Sequence, residues 1–573
     1  MLQNKRWTYL EADENAVQEL QKQLNIHPTL CKLLVLRNIK TFDEAKDFFR
    51  PSLEKLHDPF LMKDMDKAIE RIELAILKNE KILIYGDYDV DGTTAVSLVY
   101  SFFKDIYPNL EYYIPDRYTE GYGISLQGID YAAENNVQLI IALDCGIKAH
   151  DKINYANEKG IDFIICDHHL PGDTIPSAVA ILDPKREDCT YPFKELSGCG
   201  IGFKLIQAYT LKNQLDIERV YEHLDLVAVS IASDLVPITD ENRILAKFGV
   251  DKVNTNTRAG FKALMSELKL TRILDINDLV FIIGPRINAA GRIAHGSEAV
   301  TLLIEKDYDV AVEKTKKVQQ NNSDRKTLDK DITEEAFAMI DTNDLLIQKK
   351  STVLYQEHWH KGVIGIVASR LIEKYHRPTI ILASSNGKAV GSGRSVPGFD
   401  LHDAIDACSE HLVQFGGHKY AAGLTIEIDK IDTFIEAFEK TVSERILDEQ
   451  LIPQIEIDAI IELNDINEKF FNIVEQMGPF GPGNMRPNFV TKDVYDTGYS
   501  KVLNGNHLKL NLLKDGQNPR NGVGFGMGDY MKILENNETV DICFQMYANI
   551  WNGQTKIEFR LKDLKAWYYA QKI

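Results

Sequence analysis

The stretch Lys81-Ile82-Leu83-Ile84-Tyr85-Gly86-Asp87-Tyr88-Asp89-Val90-Asp91-Gly92-Thr93 decides how the chain reads. It opens with a short apolar run, the pattern of a buried strand. Three aspartates follow at once, where such a strand delivers its C-terminal end to the crevice in which open α/β sheets bind ligands. Carboxylates gathered there repel: two like charges about 4 Å apart cost about 4 kcal/mol at an effective dielectric of 20. They need a positive partner, and hard divalent cations take oxygen ligands of this kind.

Outward from that stretch, strands and helices alternate. A helix opens at Gly92 and runs through Val96, Leu98 and Phe102. A strand at 112–114 precedes a helix around 131–133, and the strand 139–143 ends in Asp144-Cys145-Gly146. The strand 163–166 ends in Asp167-His168-His169, and 178–182 ends in Asp183-Pro184. This order predicts an α/β fold with a doubly wound, mostly parallel sheet. One aspartate at a strand end is ordinarily the N-cap of the next helix. Several strand ends in acid or imidazole at one sheet edge point instead to a metal site.

The chain has 573 residues, too many for one core, and its 44% hydrophobic and 26% charged content is that of a soluble globular protein. Residues 1–50 read as helical and are expected to pack on the core that follows, with 51–300 the catalytic domain. The polar, basic segment 301–345 reads as a connecting helix with a solvated face, and 346–450 as a second α/β domain with strands at 351–355 and 379–382. In 451–573, short strands at 454–460, 487–490, 507–512, 540–548 and 555–561 predict a small barrel of the oligonucleotide-binding kind. No apolar run approaches the ~20 residues of a membrane span. Seven cysteines without a CxxC pair predict a reducing, cytoplasmic setting rather than disulfides or structural zinc. The net charge of -19 confines any nucleic-acid contact to a locally basic, salt-sensitive groove.

Asp87, Asp89, Asp91, Asp144 and His168 supply the metal-ligand chemistry, joined by Asp234, which alone reads as a helix-end residue and takes its weight from the resemblance below. Carboxylates with a single imidazole favour manganese or magnesium over zinc. Two such ions clamp a phosphoryl oxygen, ionise a water and stabilise the leaving oxygen. His169 is read as a neutral imidazole available to the phosphate or to proton transfer. Arg117, Arg286, Asn288, Arg292 and Arg394 are the candidate phosphate holders, several in glycine-rich surroundings that let backbone N–H groups approach an anion. Gly416-Gly417-His418 reads either as a tight turn or as a further phosphate contact.

YGDYDVDGTT (85–94), ALDCGI (142–147), DHH (167–169), ASDLVPI (232–238), GPRINAAGRI (284–293), GSGRS (391–395) and FGGHKYAAG (415–423) together resemble the RecJ family of the DHH phosphoesterase superfamily. The motifs run in the family's order across most of the chain. The resemblance implies a DHH domain, a long helix, a DHH-associated domain and an oligonucleotide-binding barrel wrapped round single-stranded DNA. It implies 5′→3′ exonuclease activity releasing 5′-mononucleotides in DNA repair and recombination, with two divalent cations, Mn2+ preferred or Mg2+. Asp89, Asp91, Asp144, His168 and Asp234 then look like ligands, with Asp144 bridging. Asp87 stands where smaller members begin with a His further upstream. His169, with Asp144 and Asp91, looks catalytic. Arg117, Arg286, Ser392, Arg394 and His418 look like holders of DNA phosphates, including the 5′-phosphate, with Asn288, Arg292 and Gly417 beside them. The expected partners are single-stranded DNA with a 5′ end, a DNA helicase and a single-strand-binding protein, and the enzyme is expected to act as a monomer. A phosphodiesterase for very short or cyclic oligonucleotides would have no use for the barrel and linking helix. A non-catalytic scaffold would not need the intact ligand set.

Overall fold

In the computed structural model, which describes residues 5–535, 539–551 and 554–566, the first strand, β1 (Arg6–Tyr9), belongs to the far end of the chain. The first large sheet begins at β2 (Lys81–Gly86) and continues through β3 (Leu110–Tyr113), β4 (Val137–Leu143), β5 (Asp162–Cys166) and β6 (Ala180–Leu182). All pair in parallel, in the order β3-β2-β4-β5-β6. Successive side chains point to opposite faces. Ile82, Ile84, Leu139 and Ile141 therefore join one core with the helices Met65–Leu77, Val90–Lys104, Gly198–Lys212 and Leu224–Asp234. Leu83, Tyr85, Ile140 and Ala142 join a second core with the helices Leu126–Glu134 and His150–Glu158. Helices on both faces make the sheet doubly wound and explain its near-continuous apolar strands.

A 34-residue helix, Tyr308–Asp341, leads to a second sheet. Its strands are β7 (Thr352–Gln356), β8 (Thr379–Ser385), β9 (Lys388–Arg394), β10 (Gln414–His418) and β11 (Ala421–Ile426), in the order β10-β11-β9-β8-β7. Only β7 and β8 are parallel. The glycine-rich 391–394 and 416–418 are strand residues of β9 and β10, so the tight-turn reading of 416–418 gives way to an edge strand.

The C-terminal strands are β12 (Gln454–Ile457), β13 (Ala459–Ile460), β14 (Phe489–Asp496), β15 (Lys501–Leu503), β16 (His507–Leu513), β17 (Arg520–Gly524), β18 (Val540–Trp551) and β19 (Gln554–Ala566). The last seven form one sheet that closes on itself where β14 pairs with β16. Residues 567–573 of the expected barrel segment lie outside the described residues.

The N-terminal segment departs from expectation. Val17, Leu20, Leu30, Leu33 and Leu34 share a core with Leu463, Phe470, Phe489 and Leu508 of the barrel, and β1 pairs in parallel with β12. An amphipathic stripe demands an apolar surface but does not say which one. The catalytic region meets this unit through Arg243, which sits 3.8 Å from the Phe48 ring centroid and donates to the Met477 and Gly478 carbonyls at 3.2 and 3.0 Å. Among the described residues no helix is long and apolar enough to cross a membrane. All seven cysteines are buried and free.

Candidate active site

β2 has β3 on one side and β4 on the other, so the connections leave it in opposite directions and a crevice opens at the C-terminal ends of β2 and β4. After β2 the chain turns through Asp87 and Asp89 into the helix Val90–Lys104. Asp89 is its N-cap, accepting from Gly92 N–H at 3.1 Å. After β4, Asp144 sits at φ 60°, a left-handed conformation that costs a non-glycine residue energy. Gly198 opens the helix packed against it, where a Cβ would lie 2.6 Å from that of Asp144. β5 runs into Asp167-His168-His169, and Asp234 ends the helix Leu224–Asp234.

These ends converge. His168 Nε2 lies 3.2 Å from Asp144 Oδ1, 3.6 Å from Asp234 Oδ2 and 3.7 Å from Asp91 Oδ2. Such spacing suits neighbouring ligands round an ion held at about 2.1 Å. Asp87 Oδ2 and Asp144 Oδ1 are buried with no hydrogen-bond partner. Burial first, and the neighbouring aspartates second, push the carboxyl groups of Asp87, Asp89 and Asp144 up, and that of Asp234 up to about 8. Two overlapping groups, Asp144-His168-His169 and Asp91-His168-Asp234, each hold their ligand atoms within 4.8 Å. Orphaned buried oxygens, mutual repulsion and an oxygen-rich donor set all fit hard divalent cations. Asp91 is aimed by the protein itself: Oδ2 accepts from Gly198 N–H at 2.6 Å, and Oδ1 from Cys199 N–H at 2.8 Å and Ser230 Oγ at 2.7 Å.

His169 is held by its neighbour Asp167. Burial pulls its ring down, but the buried Asp167 carboxylate, 2.7 Å from Nδ1, holds it up at about 9. Burial would raise Asp167, yet its bond to His169 and the Ile147 N–H at 2.9 Å keep it down at about 2. His169 Nε2 lies 3.2 Å from the Tyr122 hydroxyl, which donates to the Asp144 carbonyl at 3.1 Å.

Two clefts open beside this cluster; Tyr122 lines one and Tyr88 the other, their rings edge to face at 6.2 Å. One, of about 350 Å³, is lined by Tyr122, Lys148, Lys152, His169, Gly417 and His418, so β10 reaches over to face His169. The other, of about 620 Å³, is lined by Arg117, Arg292, Lys361, Ser392 and Arg394 among others. Arg117 stacks 4.8 Å from the Tyr88 ring centroid, and Arg394 donates to Ser392 Oγ at 3.1 Å. Arg292 donates to the Gly362 carbonyl at 3.0 Å; burial, then Arg117, Arg325 and Arg394, pull it down to about 10. Arg286 and Asn288 line neither cleft. Arg286 turns to the long helix, donating to Gln319 Oε1 at 2.8 Å and the Ile282 carbonyl at 2.6 Å. At about 100° per residue, positions 286 and 292 of one helix cannot share a face. Asn288 Oδ1 is buried without a partner.

The sequence reading missed Asp167 as the holder of His169, although it is the first letter of the tripeptide. It missed Tyr122, Ser230 and Lys361, whose positions no pattern marks. Arg325 and Lys326 were read as a solvated face, yet Arg325, after burial, depresses Arg286 and shares the shift of Lys326.

Family models match three consecutive segments: DHH family, N-terminal domain over 81–231, DHHA1 domain over 348–444 and RecJ OB domain over 457–563. The Bacillus subtilis protein named single-stranded-DNA-specific exonuclease RecJ is 35% identical, over 97% of this chain and 70% of its own. The Haemophilus influenzae protein of the same name is 33% identical, over 85% and 87%. The crystal structure of RecJ in complex with Mn2+ from Thermus thermophilus superposes with a TM-score of 0.84 at 24% identity, covering 98% of this chain and 79% of that one. The chain belongs to the RecJ family and is a metal-dependent enzyme of the DHH phosphoesterase kind.

Proposed function

We propose that this protein degrades single-stranded DNA from the 5′ end, releasing 5′-mononucleotides with two divalent cations. The convergence of Asp91, Asp144 and Asp234 on His168 Nε2, beside a cleft lined with cations, carries this reading. The names of the relatives and the Mn2+ held by the Thermus enzyme support it.

Asp87, Asp89, Asp91, Asp144, His168 and Asp234 would hold the ions, which when bound supply Lewis-acid polarisation of the phosphate and a nucleophilic water at neutral pH. The protein's own groups do the rest. Arg117, Ser392 and Arg394 anchor the 5′-phosphate and so set which phosphodiester reaches the cluster. His169 lines the cleft and donates from Nε2 to the scissile phosphate, with Asp167 fixing the ring through Nδ1. Gly417 and His418 close over it from β10. On the barrel, Arg560 lies 4.0 Å from the Tyr547 ring centroid and 5.2 Å from that of the exposed Phe525, a stacking surface suited to unpaired bases. A role in repair and recombination, in the cytoplasm and alongside a helicase and a single-strand-binding protein, follows from that substrate.

The test is single-stranded DNA labelled at each end in turn, with manganese and with chelator. Labelled mononucleotide released first from the 5′ end, only with metal, supports the reading; first release from the 3′ end overturns its polarity. An unlabelled duplex competitor that slows the reaction as well as single-stranded DNA does would remove the strand specificity.

A further inference from the structure

The cleft at Arg117 and Arg394 carries more charge, over a greater length, than one terminal phosphate uses. Arg117, Arg292, Lys361 and Arg394 line it, none of them in an ion pair among the described residues, and no carboxylate lines it. Lys388, also in its wall, is held by Glu427 at 2.6 Å. A phosphomonoester brings about two negative charges at neutral pH, which leaves positive charge over.

The cleft is also elongated. Arg394, Ser392, Val390 and Lys388 alternate along one face of β9 and all line it. At about 3.3 Å per residue that face runs about 20 Å from Arg394 to Lys388. Ser385 pairs with Lys388 at the far end. Lys361 Nζ lies there, 3.2 Å from Ser385 Oγ and 4.5 Å from the Tyr118 ring centroid, while the Tyr118 hydroxyl donates to the Arg292 carbonyl. Lys361 therefore leaves a turn tied to the buried Arg292 and carries its charge to the far end of the trough. The volume of about 620 Å³ is room for about twenty waters at about 30 Å³ each, several times the bulk of one phosphate group.

We propose that this cleft accepts strands whose 5′ end carries a triphosphate, with the innermost phosphate on Arg117, Ser392 and Arg394 and the outer phosphates drawn along the trough toward Lys361. The proposal rests on the reading of the near end as the 5′-phosphate anchor. Hydrolysis of the first internucleotide link joins the water oxygen to phosphorus and breaks the P–O3′ bond. One water proton goes to the departing O3′ and the other is released as the new phosphate ionises. The first product is a nucleoside 5′-triphosphate with a free 3′-hydroxyl, and the shortened strand carries a 5′-monophosphate for the next round.

The experiment measures binding of one fluorescent single-stranded oligonucleotide with a 5′-hydroxyl, a 5′-monophosphate or a 5′-triphosphate, in chelator, to the wild type and to Lys361→Gln. Expected is monophosphate binding about tenfold tighter than hydroxyl, as one charge-assisted anchor gives, and triphosphate binding at least as tight. Lys361→Gln should lose about five- to tenfold on the triphosphate end and less than about twofold on the other two, which also reports that the variant is folded. Triphosphate no tighter than hydroxyl, with monophosphate still tight, overturns the proposal and leaves the anchor standing. Monophosphate no tighter than hydroxyl overturns the anchor itself, and the proposal with it. A tight triphosphate end unaffected by Lys361→Gln overturns the assignment of the outer phosphates.

Discussion

The acid cluster and the basic cleft beside it form two walls that treat polar burial in opposite ways. The wall built by β2, β4 and β5 gathers Asp87, Asp91, Asp144 and His168 below 10% exposure, and two of the carboxylate oxygens have no hydrogen-bond partner. The wall made by β9, the Gly284–Ile293 helix and the turn after β3 gathers Arg117, Arg292 and Arg394, tied to an aromatic face, a carbonyl and a hydroxyl rather than to acids. Two buried pairs show the ordinary solution: Lys204 meets Glu241 at 2.9 Å with both side chains fully buried, and Arg258 meets Asp225 at 2.8 Å. An unpaired buried charge is expensive. At the metal cluster and the basic cleft the acids and the bases stand apart, an arrangement that suits cations on one wall and phosphate on the other.

The largest effect should come from the acid wall. Asp144→Asn removes the carboxylate nearest His168 Nε2 and should cut hydrolysis by about 10²- to 10³-fold, as losing one preorganised electrostatic group does. In chelator, affinity for 5′-phosphorylated single-stranded DNA should stay within about threefold, because the basic wall is untouched. Single-turnover release and anisotropy measure the two; turnover within tenfold of wild type would break the division of labour.

Ion binding should register as stability. Manganese at a hundred times its Kd adds about 2.7 kcal/mol when only the folded state binds it, and relief of carboxylate repulsion is the source of that binding here. Thermal melts with chelator and with manganese should differ for the wild type and nearly coincide for Asp144→Asn. Equal melting temperatures for the wild type would leave the acid wall without its cations.

Within the basic wall, Arg394→Gln should weaken the preference for a 5′-phosphate about tenfold, raising KM more than it lowers kcat. Arg286→Gln should do less, since its guanidinium is committed to Gln319 and Ile282. The reverse order would move the anchor to the long helix.

How far the sequence carried these assignments depended on the range of the signal. β2, β4 and β5 were legible because a strand buried on both faces is a continuous apolar run, and Asp144 and His168 were legible because they end such runs. Asp234 was not, since a helix-terminal aspartate looks the same whether or not another element brings a ligand to it. β1 was invisible as a strand, its partner β12 lying more than 440 positions away. β15 and β17 escaped because one has three residues and the other carries Gly522 and Gly524 in place of packing side chains. Lys361 carries no local mark. Its place depends on how the second sheet lies against Arg292, and only the folded chain gives that.

The smallest effect is also the sharpest on the contrast between overall and local charge. A protein with net charge -19 should repel DNA as a whole, yet each phosphate it neutralises releases counterions, and log K against log salt should fall by about 0.7 per contact on a single strand. Arg117, Arg292, Lys361 and Arg394 together would give a slope near -3 for a triphosphorylated end if all are engaged. Arg394→Gln should make the slope about 0.7 shallower, and Asp144→Asn should leave it unchanged in chelator. The opposite outcome, an unchanged slope in Arg394→Gln, would mean that this arginine faces no phosphate and that the strand is held elsewhere, on the barrel or along the helix bearing Arg325.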